Sequence, residues 1–306
     1  ASSHFSSTAS LTMTKMRTTA LHFPDEILVS ISQFCDLTCV VSSVLVCKRW
    51  KTVIGSSFEV LDFDMSKLSS IAWNEDPKKR RQEIRSRLCV IKNCFPSLTE
   101  LYVRVTLDRD MTDIFAVADL GFLLKKLRSQ LLHLSLIFPS PVAPFFRPEG
   151  YVPDELIVDL FARKFEKLKV FRFRGTAVVD QNDLEQIQMN SLVELHLDSL
   201  YFRDDATRVI QRFFPSNGPS QLKVLTLRNC TLTDNCFTHS FCSIIGPSLC
   251  SLEISGDCSP MADEVGGSSQ FTDRSLEDIA RHCPNLRSLD LSWHPRLTTH
   301  GVGAVI

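Results

Sequence analysis

From residue 58 onward the chain repeats one arrangement: an apolar residue, two others, an apolar, one other, an apolar. It reads Phe58-Leu61-Phe63, Leu98-Leu101-Val103, Leu131-Leu134-Leu136 and Leu168-Phe171-Phe173. It continues as Leu192-Leu195-Leu197, Leu222-Leu225-Leu227, Leu249-Leu252-Ile254 and Leu286-Leu289-Leu291. The last two apolar residues of each set are one residue apart, which is the period of a short strand with one buried face. The sets recur at intervals of 24 to 40 residues. Helical periodicity lies between them. In residues 271–284, Thr272 or Asp273 is placed to cap a helix whose apolar face is Leu276, Ile279, Ala280 and Cys283, and Pro284 ends it. A strand and a helix of this size cannot bury their apolar sides alone, so successive units are expected to stack.

Residues 23–50, FPDEILVSISQFCDLTCVVSSVLVCKRW, follow a different rule. Pro24 suits the start of a helix carrying Ile27, Leu28, Ile31 and Phe34. Asp36 or Thr38 can cap a second helix with Val40, Val41, Val44 and Leu45, and Lys48-Arg49-Trp50 belongs to a third. Three short helices hold more apolar residues than so small a core can hide, and the surplus points to a partner surface. Ile31, Val44 and Leu45 are expected in the core of this unit, and Cys35, Cys39 and Cys47 are expected to be inert buried thiols.

Composition changes the picture only by exclusion. The chain has 306 residues, 44% of them hydrophobic, and a net charge of −1, so it is no general trap for nucleic acid or acidic membrane. The basic run Lys78–Arg81 with Arg85 and Arg87 reads as the solvated side of an amphipathic helix: Asp76 caps it, Pro77 opens it, and Ile84, Leu88 and Ile91 form its apolar face. The 11 cysteines match no zinc spacing, and no apolar run reaches membrane-spanning length. Reduced thiols and a cytoplasmic or nuclear location are expected. No metal, cofactor or catalytic set emerges: there is no phosphate-cradling glycine loop, and the 8 histidines and the acids form no catalytic arrangement. Residues 1–20, rich in Ser and Thr and without acids, read as a disordered tail. Residues 139–153 and 256–270 read as turn-rich insertions at one edge. The pattern stops inside a repeat helix at LTTHGVGAVI, so a further repeat is expected beyond it.

Two resemblances follow. The tandem pattern resembles the cysteine-containing leucine-rich repeat, closest in residues 222–234 and 271–301. In that family a Cys or Asn three residues after the last strand apolar turns inward; here the slot holds Cys230, Asp257 and His294, but Thr106, Pro139, Thr176 and Leu200 in the earlier units. Cys94, Cys230 and Cys283 are then small core residues. Residues 23–50 resemble an F-box through Phe23, Pro24, Glu26, Ile27, Leu28, Ile31, Val46, Cys47, Lys48 and Trp50, with departures at Phe23, Cys35 and Ser42-Ser43. Together they imply an F-box leucine-rich-repeat protein of the α/β class. Its parts would be a tail over 1–20, a three-helix F-box over 21–56 and a solenoid over 57–306 with its last repeat truncated. Parallel strands would line the concave side and helices the convex side. The implied role is non-catalytic: the F-box docks a Skp-type adaptor, and through it a cullin, in an SCF-type ubiquitin ligase that directs proteins to the proteasome. The repeats hold the substrate. The alternative is a repeat scaffold acting outside ubiquitin ligation. By the resemblance, Pro24, Ile27, Leu28, Val46 and Trp50 form the docking surface.

Strand geometry locates the substrate face. Residues between the inward apolars point outward, giving the column Asp62, Tyr102, Ser135, Arg172, His196, Thr226, Glu253 and Asp290, followed by Asp64, Arg104, Ile137, Arg174, Asp198, Arg228, Ser255 and Ser292. Arg104, Arg172, Arg174 and Arg228 gather in the middle, with Tyr102, His196 and Glu253 among them. Arginine forks there favour an acidic or phosphorylated protein substrate, unless neighbouring acids neutralise them across strands.

Overall fold

The computed structural model describes residues 23–68, 76–105, 114–138, 165–179, 189, 191–202, 220–230, 232, 234–256 and 271–305. The expected tail, most of the two insertions, and the slot residues Thr106, Pro139 and Asp257 lie outside the described residues.

The chain begins with three short helices, α1 (Asp25–Gln33), α2 (Leu37–Ser43) and α3 (Lys48–Ser57). Pro24 precedes α1 as its N-cap residue, and the carboxylate of Asp36 accepts the Cys39 N–H at 2.8 Å to start α2. Arg49 ties α3 back to α1, its guanidinium 2.6 Å from Asp25 Oδ1 and donating to the Phe23 carbonyl at 2.5 Å. Gly55 of α3 is a glycine because a side chain there would overlap the Cys94 carbonyl oxygen.

The rest is a single parallel sheet with helices. Its strands are β1 (Val60–Asp64), β2 (Glu100–Arg104), β3 (His133–Ile137), β4 (Val170–Val179), β5 (Glu194–Phe202), β6 (Val224–Arg228), β7 (Ser251–Ser255) and β8 (Ser288–Asp290), hydrogen-bonded in sequence order. Each apolar triplet of the sequence places a residue or two in one strand. The inward residues form continuous rows, such as Leu61, Leu101, Leu134, Phe171, Leu195, Leu225, Leu252 and Leu289. They share one core with the apolar faces of the helices α4 (Pro77–Cys94), α5 (Ile114–Leu127), α6 (His239–Ile245) and α7 (Asp273–His282); α8 (Thr299–Val305) packs on α7. Asp76 caps α4 and Thr272 caps α7, with Ile84, Leu88 and Ile91 of α4 and Leu276 and Ile279 of α7 buried.

Register passes from unit to unit through the backbone. The carbonyl of Glu59 accepts the N–H groups of both Thr99 and Glu100, and the carbonyl of Thr99 those of Leu132 and His133. Leu132, Lys169, Val193, Lys223 and Cys250 repeat the arrangement along the chain. The chain turns sharply within β5 at Ser199 and just beyond β6 and β8 at Asn229 and Trp293: φ is 66°, 50° and 65°, the left-handed region in which Asn is at home and Trp is strained. The next residue then turns inward. Cys230 is buried with Sγ 3.7 Å from the Leu197 carbonyl, and His294 Nε2 lies 3.0 Å from the Ile254 carbonyl. Leu200 fills the slot with apolar bulk instead.

Candidate functional site

Two surfaces carry candidate residues. On the N-terminal unit, α1 exposes Ile27 and Ile31, and Phe34 just beyond it is 91% exposed. The junction of α2 and α3 exposes Val46 and Leu45, the latter at 64%. Leu45 and Ile31, assigned to the core from sequence, are therefore surface residues, and only Val44 of that trio is buried. Among the docking residues, Pro24, Ile27 and Val46 are exposed, whereas Leu28 is 2% exposed and supports the surface from beneath. Trp50 is half-buried against the core, its indole N–H enclosed without an acceptor among the described residues. The thiols also differ from expectation: Cys39 is exposed, and Cys35 and Cys47 are half-buried. Ser42 and Ser43 donate back to the Thr38 and Cys39 carbonyls, so both hydroxyls are satisfied within α2.

The second surface is the outer face of the sheet. The two outward columns align in register: Asp62, Tyr102, Ser135, Arg172, His196, Thr226, Glu253 and Asp290 are successive ladder partners. Asp64, Arg104, Ile137, Arg174, Asp198, Arg228 and Ser255 are partners likewise, while Ser292 lies past the end of β8. A groove of about 440 Å³ crosses β2 to β7, lined by Tyr102, Arg172, Arg174, His196, Arg228 and Glu253 among others. Arg104 lies outside its lining.

Every one of the four arginines is held by a carboxylate across a strand. Arg104 lies 3.0 Å from Asp62, Arg172 3.4 Å from Glu194 and Arg174 3.4 Å from Asp198. Arg228 grips Glu253 with two nitrogens, Nη2 donating at 2.9 Å. The cross-strand neutralisation that sequence left open is thus present, and the middle of the face is charge-balanced rather than an open cationic patch.

Sequence reasoning missed a third outward column, containing Glu100, His133 and Glu194. Tyr102 donates to Glu100 at 3.0 Å and its oxygen lies 3.0 Å from His133 Nδ1, leaving His133 Nε2 enclosed without a partner among the described residues. His196 lies 3.0 Å from Thr226 Oγ1 and 3.4 Å from Glu194. Burial is the main force holding both imidazoles below their ordinary pKa, and nearby Arg172 pushes the same way. Applying the two-residue alternation one step toward each strand's start would have found this column.

No cluster of His, Cys, Asp and Glu among the described residues is arranged to hold a metal ion, and no described helix is long and apolar enough to cross a membrane.

The N-terminal surface is where comparison with known proteins speaks. Residues 20–58 match the F-box domain. The F-box thus spans α1 to α3 and ends at Phe58, two residues before β1. The whole chain also aligns with a solved structure, the crystal structure of the Rad7 and Elc1 complex in yeast, at 13% identity and a TM-score of 0.42, covering 100% of this chain and 85% of that one. No curated protein matches the sequence.

Proposed function

We propose that this protein is the substrate-recognition subunit of a cullin-RING, SCF-type ubiquitin ligase. In this reading the F-box docks a Skp-type adaptor that links it to a cullin. β1–β8 and their helices are a leucine-rich-repeat solenoid whose concave sheet face holds a protein substrate. The contribution is non-catalytic: the subunit holds substrate near the ligase, in the cytoplasm or nucleus. One observation carries the reading. The segment matching an F-box leaves Ile27, Ile31, Phe34, Leu45 and Val46 exposed on a small helical unit. Large apolar side chains gathered on one surface mark a site that a partner covers.

The test uses the full chain and a purified Skp-type adaptor. Binding that is lost when Ile31→Asp and Leu45→Asp are combined, with the melting temperature unchanged, supports the reading. An unaltered chain that captures no adaptor removes it, and leaves the repeat scaffold outside ubiquitin ligation in its place.

A further inference from the structure

Resting on the reading that the sheet face holds substrate, we propose that β3 floors an anchor slot for an extended, acidic substrate peptide. One apolar side chain of the peptide would sit on Ile137, and its neighbouring carboxylates or phosphates would be received by Arg104 and Arg174.

The slot arises from three consecutive strands. Along β1 to β7, β3 alone presents no charge at its positions in the two aligned columns, offering Ser135 and Ile137. Ser135 is buried at the base, and Ile137, 37% exposed, is the one aliphatic side chain in the two aligned columns. Its ladder partners on either side are Arg104 of β2 and Arg174 of β4. Two strand spacings separate those arginines, about 9–10 Å, which is the width of one inserted side chain with its contacts.

The ion pairs hold the slot open. Asp62 draws Arg104 toward β1, and Asp198 draws Arg174 toward β5, so each guanidinium is pulled away from Ile137 rather than across it. Asp198 is itself fixed by Asn229 and Ser199, each donating at 3.0 Å. Both arginines remain open to solvent, their side chains 50% and 62% exposed, and Arg174 Nε lies 3.4 Å from its acid. Arg228, by contrast, spends its fork on Glu253. A peptide crossing the strands would therefore find an apolar seat with a cation on each side. An apolar residue flanked by oxyanions matches that order, whereas flanking lysines would be repelled.

The probes are fluorescein-labelled nonapeptides in a Gly-Ser background, with Leu, Ser or Lys at the centre and Glu, phosphoserine or Lys on both sides. The full chain is expected to select the Leu-centred peptides with Glu or phosphoserine flanks, and those two arms separate carboxylate from phosphate as the natural group. Ile137→Asp should weaken the preferred peptide by about tenfold or more, the loss of one buried aliphatic contact. Ile137→Ser serves the same purpose if the first variant melts early. Arg104→Glu with Arg174→Glu should turn the flank preference to Lys. The slot is overturned if no peptide binds, if Lys flanks are preferred by the unaltered chain, or if binding is indifferent to the change at Ile137. Adaptor capture is read on the same samples. Retained capture with no peptide selection overturns the slot alone, and absent capture by the unaltered chain overturns the ligase reading.

Discussion

The carboxylate of Asp234 receives both the backbone N–H of Thr272, at 2.8 Å, and its hydroxyl, at 2.6 Å. Ser275 adds a third donor at 2.7 Å, so one side chain organises the first turn of α7 from the preceding unit. Asp273 does the same for α8, accepting the Thr298 N–H at 2.8 Å and hydroxyl at 2.5 Å. Replacing Asp234 by Ala should cost about 2–3 kcal/mol, because three donors lose their acceptor at once and Ser275 is buried. Urea unfolding of Asp234→Ala measures it. A change within a few tenths of a kcal/mol would show that water replaces the carboxylate.

The F-box surface separates binding from folding. Ile31→Asp or Leu45→Asp should leave the melting temperature within a few degrees and abolish adaptor binding. Leu28→Asp should lower the melting temperature sharply, since an unpaired charge at a buried position costs several kcal/mol. Equal melting temperatures for all three variants would contradict the burial of Leu28.

Stability should fall in mild acid. Burial holds His133, His196 and His294 below their ordinary pKa. The unfolded chain therefore takes up protons first as pH drops below about 6.5, and stability present above that pH is lost toward the depressed folded values. The groups facing His196 are Arg172 across on β4, Glu194 on its own strand, and Glu253 on β7. Urea midpoints should be level between pH 8 and 7 and decline from 6 to 5, less steeply in His196→Gln. Midpoints rising toward acid would refute this.

Cys39 is exposed, yet its thiol is pushed above the ordinary value by the neighbouring Asp36 carboxylate. Site-resolved iodoacetamide labelling at pH 8 should be slow at Cys39 and should quicken in Asp36→Asn. Cys283, pushed up to about 11 by burial, should stay unlabelled until the chain unfolds. Fast labelling of Cys39 in the unaltered chain would be the contrary result.

The strands were legible because their signal is redundant: two large apolar residues at a fixed offset recur eight times, and tertiary contact only reinforces them. The outward columns followed from the same period of two. The F-box helices were harder. Ile27, Leu28 and Ile31 of α1 are all apolar, as are Val44, Leu45 and Val46 after α2, so residue type does not tell which of them face inward, and orientation depends on how α1 meets α3. Residue types alone also could not tell that each arginine has a carboxylate in reach. That is a matter of side-chain direction across strands, as with Arg104 turning to Asp62 and away from Ile137.

The doubly accepting carbonyls at Glu59, Thr99, Leu132, Lys169, Val193, Lys223 and Cys250 have a consequence for how such a chain can vary. They fasten each strand's entrance to the one before, so residues there are counted exactly, and a single insertion would shift a whole row of side chains to the opposite face. Where the chain leaves the strands the recurring bonds among the described residues are single ones, the N–H groups of Val105, Phe138, Asn229 and Gly256 donating to the carbonyls of Ile137, Arg174, Ser255 and Ser292. Length is free to accumulate at one rim of the molecule while the other keeps time, and new surface can be added beside the groove without altering a single position within it.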